Sequence, residues 1–168
     1  MNNEKYIDVL AGCVDISTKD RPIIGTTSLA SCVGFVLYDR DNMKAIAGHC
    51  FPDIAYDKTS YTNFYYSICE ILLNNELLSH KFELILVEGA YTTDRVMEAI
   101  YKLLTNLPIV ITEIKSDKTI KNASCAFSDT DDSMLPNDIA ASRCFAFDSI
   151  SGKFVTKQMN FKFKKIWN

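Results

Sequence analysis

Residues 32–50 read CVGFVLYDRDNMKAIAGHC, two β-branched and apolar runs on either side of the polar turn RDN. Short apolar runs flanking a cluster of turn formers predict a β-hairpin. With Arg40 and Asp41 as a two-residue loop, Asp39 faces Asn42 and, counting outward, Cys32 faces His49. Directly opposed residues of an antiparallel pair hold their Cβ atoms about 4.5–5.5 Å apart. Register alone therefore predicts a thiol within reach of an imidazole. A different loop length shifts the pairing by one residue and brings Cys50 opposite instead.

Outward from the hairpin, the chain alternates between strand and helix patterns. Residues 5–16 are strand-rich, and KDRP at 19–22 is a turn or loop. Residues 60–78 place Phe64, Ile68, Ile71 and Leu72 at helical spacing. FELILVEGA, from Phe82, predicts a buried strand ending at Gly89. TTDRVMEAIYKLLTN follows as a second amphipathic helix with Thr93 as its N-cap. PIVITEI, from Pro108, is a further strand, and residues 116–141 form a polar inserted loop. RCFAFDSISGKFVTKQ closes the chain as two short strands around Ser151-Gly152. Strands dominate and two helices share one side, which predicts a single α/β (α+β) domain over residues 1–168. Its architecture is a layered α-β-β sandwich on a mostly antiparallel sheet.

The composition narrows the function classes. With 168 residues, 48% of them hydrophobic, the chain is long enough for one proper core. A formal net charge of -3 argues against a nucleic-acid binder, and only the tail from Lys162 is locally basic. No apolar stretch approaches the ~18 residues of a membrane span, and the N-terminus lacks the pattern of a secretory signal. The six cysteines (Cys13, Cys32, Cys50, Cys69, Cys125 and Cys144) contain no CxxC pair. They are read as reduced thiols of a cytoplasmic protein, with a specialised secretion route for an effector as the other option. No metal-ligand pattern or phosphate-cradling glycine loop is present, and Asp131-Asp132 reads as a solvated pair. No cofactor is expected.

A Cys–His pair is the minimum apparatus for thiol nucleophilic catalysis, because a base beside the thiol supplies the reactive thiolate. The small residues of TTSLASC, ending at Cys32, suit a tight loop whose N–H groups bind an oxyanion. A hydroxyl at Thr26, Thr27, Ser28 or Ser31 is available to orient the imidazole. His80, the other histidine, reads as a surface residue, and Cys50 as a packing residue.

At these residues the sequence resembles the chemoreceptor glutamine deamidase family CheD. That family carries Thr-x-Gly-Leu-Gly-Ser-Cys entering a strand, then a histidine seventeen residues later in a Gly-x-x-His-x-x-x-Pro context. TTSLASC and AIAGHCFPD are the matching segments, in the same order, and Cys32 and His49 are likewise seventeen residues apart. YTNFYYSICEILL, FELILVEGA, TTDRVMEAIYKLL and SRCFAFDSISGKFVTK are similar to the family's later segments, so the resemblance covers most of residues 8–157. It implies Cys32 as nucleophile, His49 as base and Thr26 as the third member, with loop support from Ser28, Ala30 and Ser31. The implied activity is hydrolysis of a glutamine side-chain amide in a protein, a chemoreceptor or another target, with a CheC-like phosphatase as regulatory partner. The cytotoxic necrotizing factor catalytic domain shares the Cys–His fold and makes an effector role the alternative, and a binding module of weak activity is a third. Ser28 and Ala30 stand where the family has glycines, Glu88 replaces the first of Gly-Gly-Ala, and the loop after it is shortened. Glu88, Gly89 and Arg143 are accordingly the candidates for the substrate side.

Overall fold

The computed structural model describes residues 5–116 and 139–162. Nine strands and two α-helices lie among the described residues. In chain order they are β1 (Tyr6–Asp8), β2 (Val14–Ile16), β3 (Ile23–Leu29), β4 (Val33–Asp39), β5 (Lys44–Cys50), α1 (Lys58–Asn74), β6 (Lys81–Glu88), α2 (Asp94–Thr105), β7 (Val110–Ser116), β8 (Ile139–Asp148) and β9 (Lys153–Lys162). One sheet has the order β1-β3-β8-β9 and the other β2-β5-β4-β6-β7. Only the β1–β3 and β6–β7 pairs are parallel. The α-β-β sandwich expected from the sequence is the architecture found.

β4 is the middle strand of the larger sheet, and all seven of its residues are buried. Its alternation serves two cores at once. Val33, Phe35 and Leu37 pack with Ile68 and Leu72 of α1 and Ile100 and Leu103 of α2. Val36 and Tyr38 turn the other way, into the seam between the sheets, with Ala45, Ala47, Phe145 and Phe147. The helices thus cover one face of the larger sheet and the smaller sheet covers the other. Asp57 caps α1 by accepting from Thr59 N and Ser60 N, so the helix begins two residues before the expected position. Thr93 caps α2, accepting from Val96 N, as its sequence position predicts.

The hairpin exists, but its register is corrected. The loop has four residues, 40–43, so Asp39 faces Lys44 and Gly34 faces His49. Met43 adopts φ 51°, and Asp39 accepts from both the backbone and the side-chain amide of Asn42, which closes the longer turn. The shift is two residues, so no side chain changes face. Cys32 and His49 are diagonal neighbours on the seam side rather than directly opposed. Cys50 faces Val33.

Three other expectations change. Ile23–Leu29 is a strand that takes in the first four residues of the TTSLASC stretch expected as a tight loop, and it carries a bulge between Thr26 and Leu29. β8 and β9 are ten residues each and pair from Asp148↔Lys153 out to Ile139↔Lys162, longer than the two short strands expected. Of the polar 116–141 segment, Ser116 ends β7 and residues 139–141 open β8. Residues 117–138, with Cys125, Asp131 and Asp132, lie outside the described residues, as does the basic tail beyond Lys162.

Candidate active site

The strand-rich opening of the chain splits into β1 and β2, one in each sheet, and the turn between them crosses the end of the seam. Residues Leu10–Cys13 form that turn, with Cys13 N donating to Leu10 O at 3.0 Å and Gly12 at φ 78°. This is the geometry of a type II turn, which calls for glycine at its third position. Gly12 N donates to His49 O at 2.8 Å and His49 N to Cys13 O at 3.0 Å, so Gly12 and Cys13 together bulge opposite His49. The bulge fixes the His49 backbone.

His49 points into the seam and is 3% exposed. Its Nδ1 lies 2.8 Å from Thr26 Oγ1, which belongs to the opposite sheet. The Thr26 hydroxyl is itself 2.6 Å from the Val9 carbonyl, an acceptor only. A hydroxyl has one proton to give, so it donates to Val9 and accepts from His49 Nδ1–H. This network assigns the tautomer and leaves Nε2 as the ring's acceptor, the atom a general base needs.

Cys32 sits where the loop after β3 enters β4, 8% exposed. It lines with His49 a cleft of about 290 Å³ whose walls include Asp8, Leu10, Ser28 and Phe51. Burial pushes the Cys32 thiol up, a hydrogen bond from Ser31 works the other way, and the Asp53 charge adds to the rise. Burial pulls His49 down, opposed by Asp8. Both shifts favour a neutral thiol beside a neutral imidazole, a resting state suited to proton transfer during attack rather than to a preformed ion pair.

The loop before Cys32 is held from behind. Ala90 N donates to Leu29 O at 3.1 Å and Tyr91 N to Ala30 O at 2.8 Å. The Cys32 carbonyl accepts twice, from Gly89 N at 3.2 Å and from the Thr92 hydroxyl at 2.6 Å. Thr92 Oγ1 in turn accepts from Gly89 N at 2.8 Å. The Ser31 and Cys32 N–H groups have no backbone acceptor among the described residues. Ser28 has φ 63°, so the position does require the left-handed conformation that glycine favours, and Ala30 does not.

Glu88, Gly89 and Arg143 do not line the cleft among the described residues. Arg143 Nη1 donates to Glu88 O at 2.9 Å, and Arg143 pairs with Leu29 across β8 and β3. A Cβ on Gly89 would collide with the Ala30 carbonyl oxygen and sit 2.6 Å from that of Cys32. These three residues lie against the segment that leads into Cys32. His80 is more than a surface residue, since its Nδ1 meets the buried carboxylate of Asp39 at 2.8 Å. A larger cleft of about 360 Å³ lies near that end of the hairpin. Its Arg40 and Glu83 are bonded at 3.0 and 3.1 Å, so its main charges satisfy each other.

Sequence reasoning did not find Val9, Asp8, Leu10, Phe51 or Thr92. Val9 acts through its carbonyl, which no side-chain motif reveals. Gly12 within LAGC was the one available signal for the turn that brings residues 8–13 to the cleft. Cys13, Cys32, Cys50 and Cys69 are free thiols, and no group of metal-binding side chains is found among the described residues. Among them no helix is long and apolar enough to cross a membrane.

No family model and no curated protein matches the chain. Among solved structures, the hypothetical protein YfiH of Bacillus licheniformis is similar at 11% identity and a TM-score of 0.40. The match covers 67% of this chain and 59% of that one, so the chain spans less than two thirds of that protein. A likeness this low carries no functional argument, and the chemistry rests on the residues themselves.

Proposed function

We propose that this protein is a cysteine-dependent glutamine deamidase that hydrolyses a glutamine side-chain amide of a protein to glutamate and ammonia. The observation that carries the reading is the 2.8 Å Thr26–His49 hydrogen bond, which directs the histidine's free nitrogen away from Thr26 in the cleft that also holds Cys32.

His49 Nε2 takes the thiol proton as Cys32 Sγ bonds to the carboxamide carbon, and the carbonyl π pair moves onto oxygen. The Ser31 and Cys32 N–H groups hold that oxyanion. When the oxyanion collapses the C–N bond breaks, and His49 delivers its proton to the departing nitrogen, giving ammonia and a thioester. Water then loses a proton to His49 and attacks the thioester carbon. The C–S bond breaks, the thiolate recovers the proton, and the product is glutamate. This cycle uses no metal or organic cofactor.

The resemblance of TTSLASC and AIAGHCFPD to the CheD family supports a chemoreceptor as substrate, a CheC-like phosphatase as partner and a cytoplasmic setting. The left-handed Ser28 favours a second reading, a docking module of low activity, since a side chain stands where the family has glycine. Ammonia release from a glutamine-rich protein, compared between the native chain and Cys32→Ala, decides between them. Release that depends on Cys32 supports the enzyme, and equal release from both proteins sinks it. If Ser28→Gly raises a low native rate severalfold, Ser28 is what limits the site. Added primary amine tests for transfer in place of hydrolysis, read as isopeptide products.

A further inference from the structure

The cleft of Cys32 and His49 does not end at Phe51. A second groove, about 240 Å³, opens beyond that ring, between the 3-10 turn at Pro52–Ala55 and α1, and Phe51 is a wall of both spaces. The ring is 44% exposed, and its centroid is 6.3 Å from that of His49. Its position is built in: a Cβ on Gly12 would lie 2.6 Å from Phe51 Cε2, so only glycine lets the ring stand there.

The groove presents Asp53 and, from one face of α1, Ser60, Asn63 and Ser67. The hydroxyls are already used, Ser60 on Asp57 and Ser67 on the Asn63 carbonyl. The Asp53 carboxylate and the Asn63 carboxamide are exposed and bond to no side chain among the described residues. Arg95 of α2 is stacked 4.3 Å over Tyr56, which ends the same turn, and forms no ion pair with Asp53 among the described residues.

We infer that this groove is a specificity subsite for a lysine or arginine close to the target glutamine of the substrate protein. The inference rests on the deamidase reading of the neighbouring cleft. Such a side chain has an apolar stem to lay on Phe51 and a cation for Asp53, and the ring face favours the cation as well. Asn63 offers a donor and an acceptor for a backbone amide beside it. A glutamate there meets a like charge at Asp53. A cation on Asp53 also removes one of the fields that raise the Cys32 thiol, coupling occupancy of the subsite to activation of the nucleophile.

The test uses the full chain as Cys32→Ala and fluorescent peptides holding one glutamine, with lysine or glutamate at each of three positions on either side. At least one lysine peptide is expected to bind about tenfold tighter than its glutamate twin, with the difference shrinking as salt rises. Asp53→Asn abolishes the preference, Asp53→Lys reverses it, and Asp20→Asn, an exposed carboxylate elsewhere, leaves it intact. Unchanged melting temperatures show that the variants fold. Equal binding of both series, no binding of any lysine peptide, or a preference that survives Asp53→Lys overturns the inference. Charge-dependent binding without ammonia release by the native chain sinks the deamidase reading and leaves the subsite standing. Equal ammonia release from both series does the reverse.

Discussion

At the scale of single residues, Thr26 decides which nitrogen of His49 is free. Thr26→Val removes the acceptor for Nδ1–H and leaves the Val9 carbonyl without its donor. The loss of one such bond, at roughly 1.4 kcal/mol, corresponds to about a tenfold fall in kcat, and Thr26→Ser restores most of it. Assay of the two variants with KM measured separately checks this, since misplacing the base lowers kcat more than it raises KM. The pH profile tests the electrostatics. Burial lowers His49, and the neutral ring is the working base, so the acid limb of kcat/KM falls below the ordinary histidine value of about 6.5. Asp8 opposes that shift, so Asp8→Asn moves the limb lower still. Stability follows the same sign. Below about pH 6.5 the unfolded chain binds the proton more readily than the folded one, so stability is present above that pH and is lost as pH falls through the folded value. A His49→Gln protein flattens the part of the melting-temperature profile that this group contributes.

At the scale of elements, the segment after β6 holds the loop that leads into Cys32. Thr92→Val removes the 2.6 Å bond to the Cys32 carbonyl and the acceptor of the 2.8 Å Gly89 N–H bond, while leaving the Gly89 N–H bond to the Cys32 carbonyl and the Ala90 and Tyr91 N–H bonds in place. It lowers kcat by roughly severalfold with little change in KM, the worth of about 1 kcal/mol, and Thr92→Ser recovers the loss. Equal kcat in the valine and native proteins shows that the clamp does not position the thiol. The hairpin that carries Cys32 and His49 was legible because its two runs are rich in strand formers and meet at RDN. Its register was not. The loop length depends on Met43 taking φ 51°, and a methionine gives no sign of that. β3 was missed because GTTS interrupts the apolar pattern, and the hydroxyl of Thr26 is buried only by the other sheet. Helix α2 was read nearly to its ends, since Thr93 marks its start and four buried residues repeat at helical spacing.

At the scale of the whole molecule, the site is a product of sheet docking. Thr26 comes from one sheet, Cys32 and His49 from the other, and the turn at Leu10–Cys13 spans the seam between them. No local pattern in the sequence encodes such a contact, which is why the spacing of a known family pointed to Thr26 while register pointed only to Cys32 and His49. The central strands are packed closely enough that small changes register. A Cβ on Gly48 would run into the buried ring of Phe35, so Gly48→Ala costs about 1–3 kcal/mol, read as a lower denaturation midpoint with an unchanged m-value. The central claim is that Cys32 forms a covalent bond with the glutamine carbonyl. Acid quenching of the full chain during turnover of glutamine peptides, followed by mass spectrometry of its digest, reads that bond directly. A peptide thioester on Cys32, with no ammonia from Cys32→Ala, is the expected result; ammonia release undiminished in that variant, or an adduct on another cysteine instead, contradicts a Cys32 nucleophile.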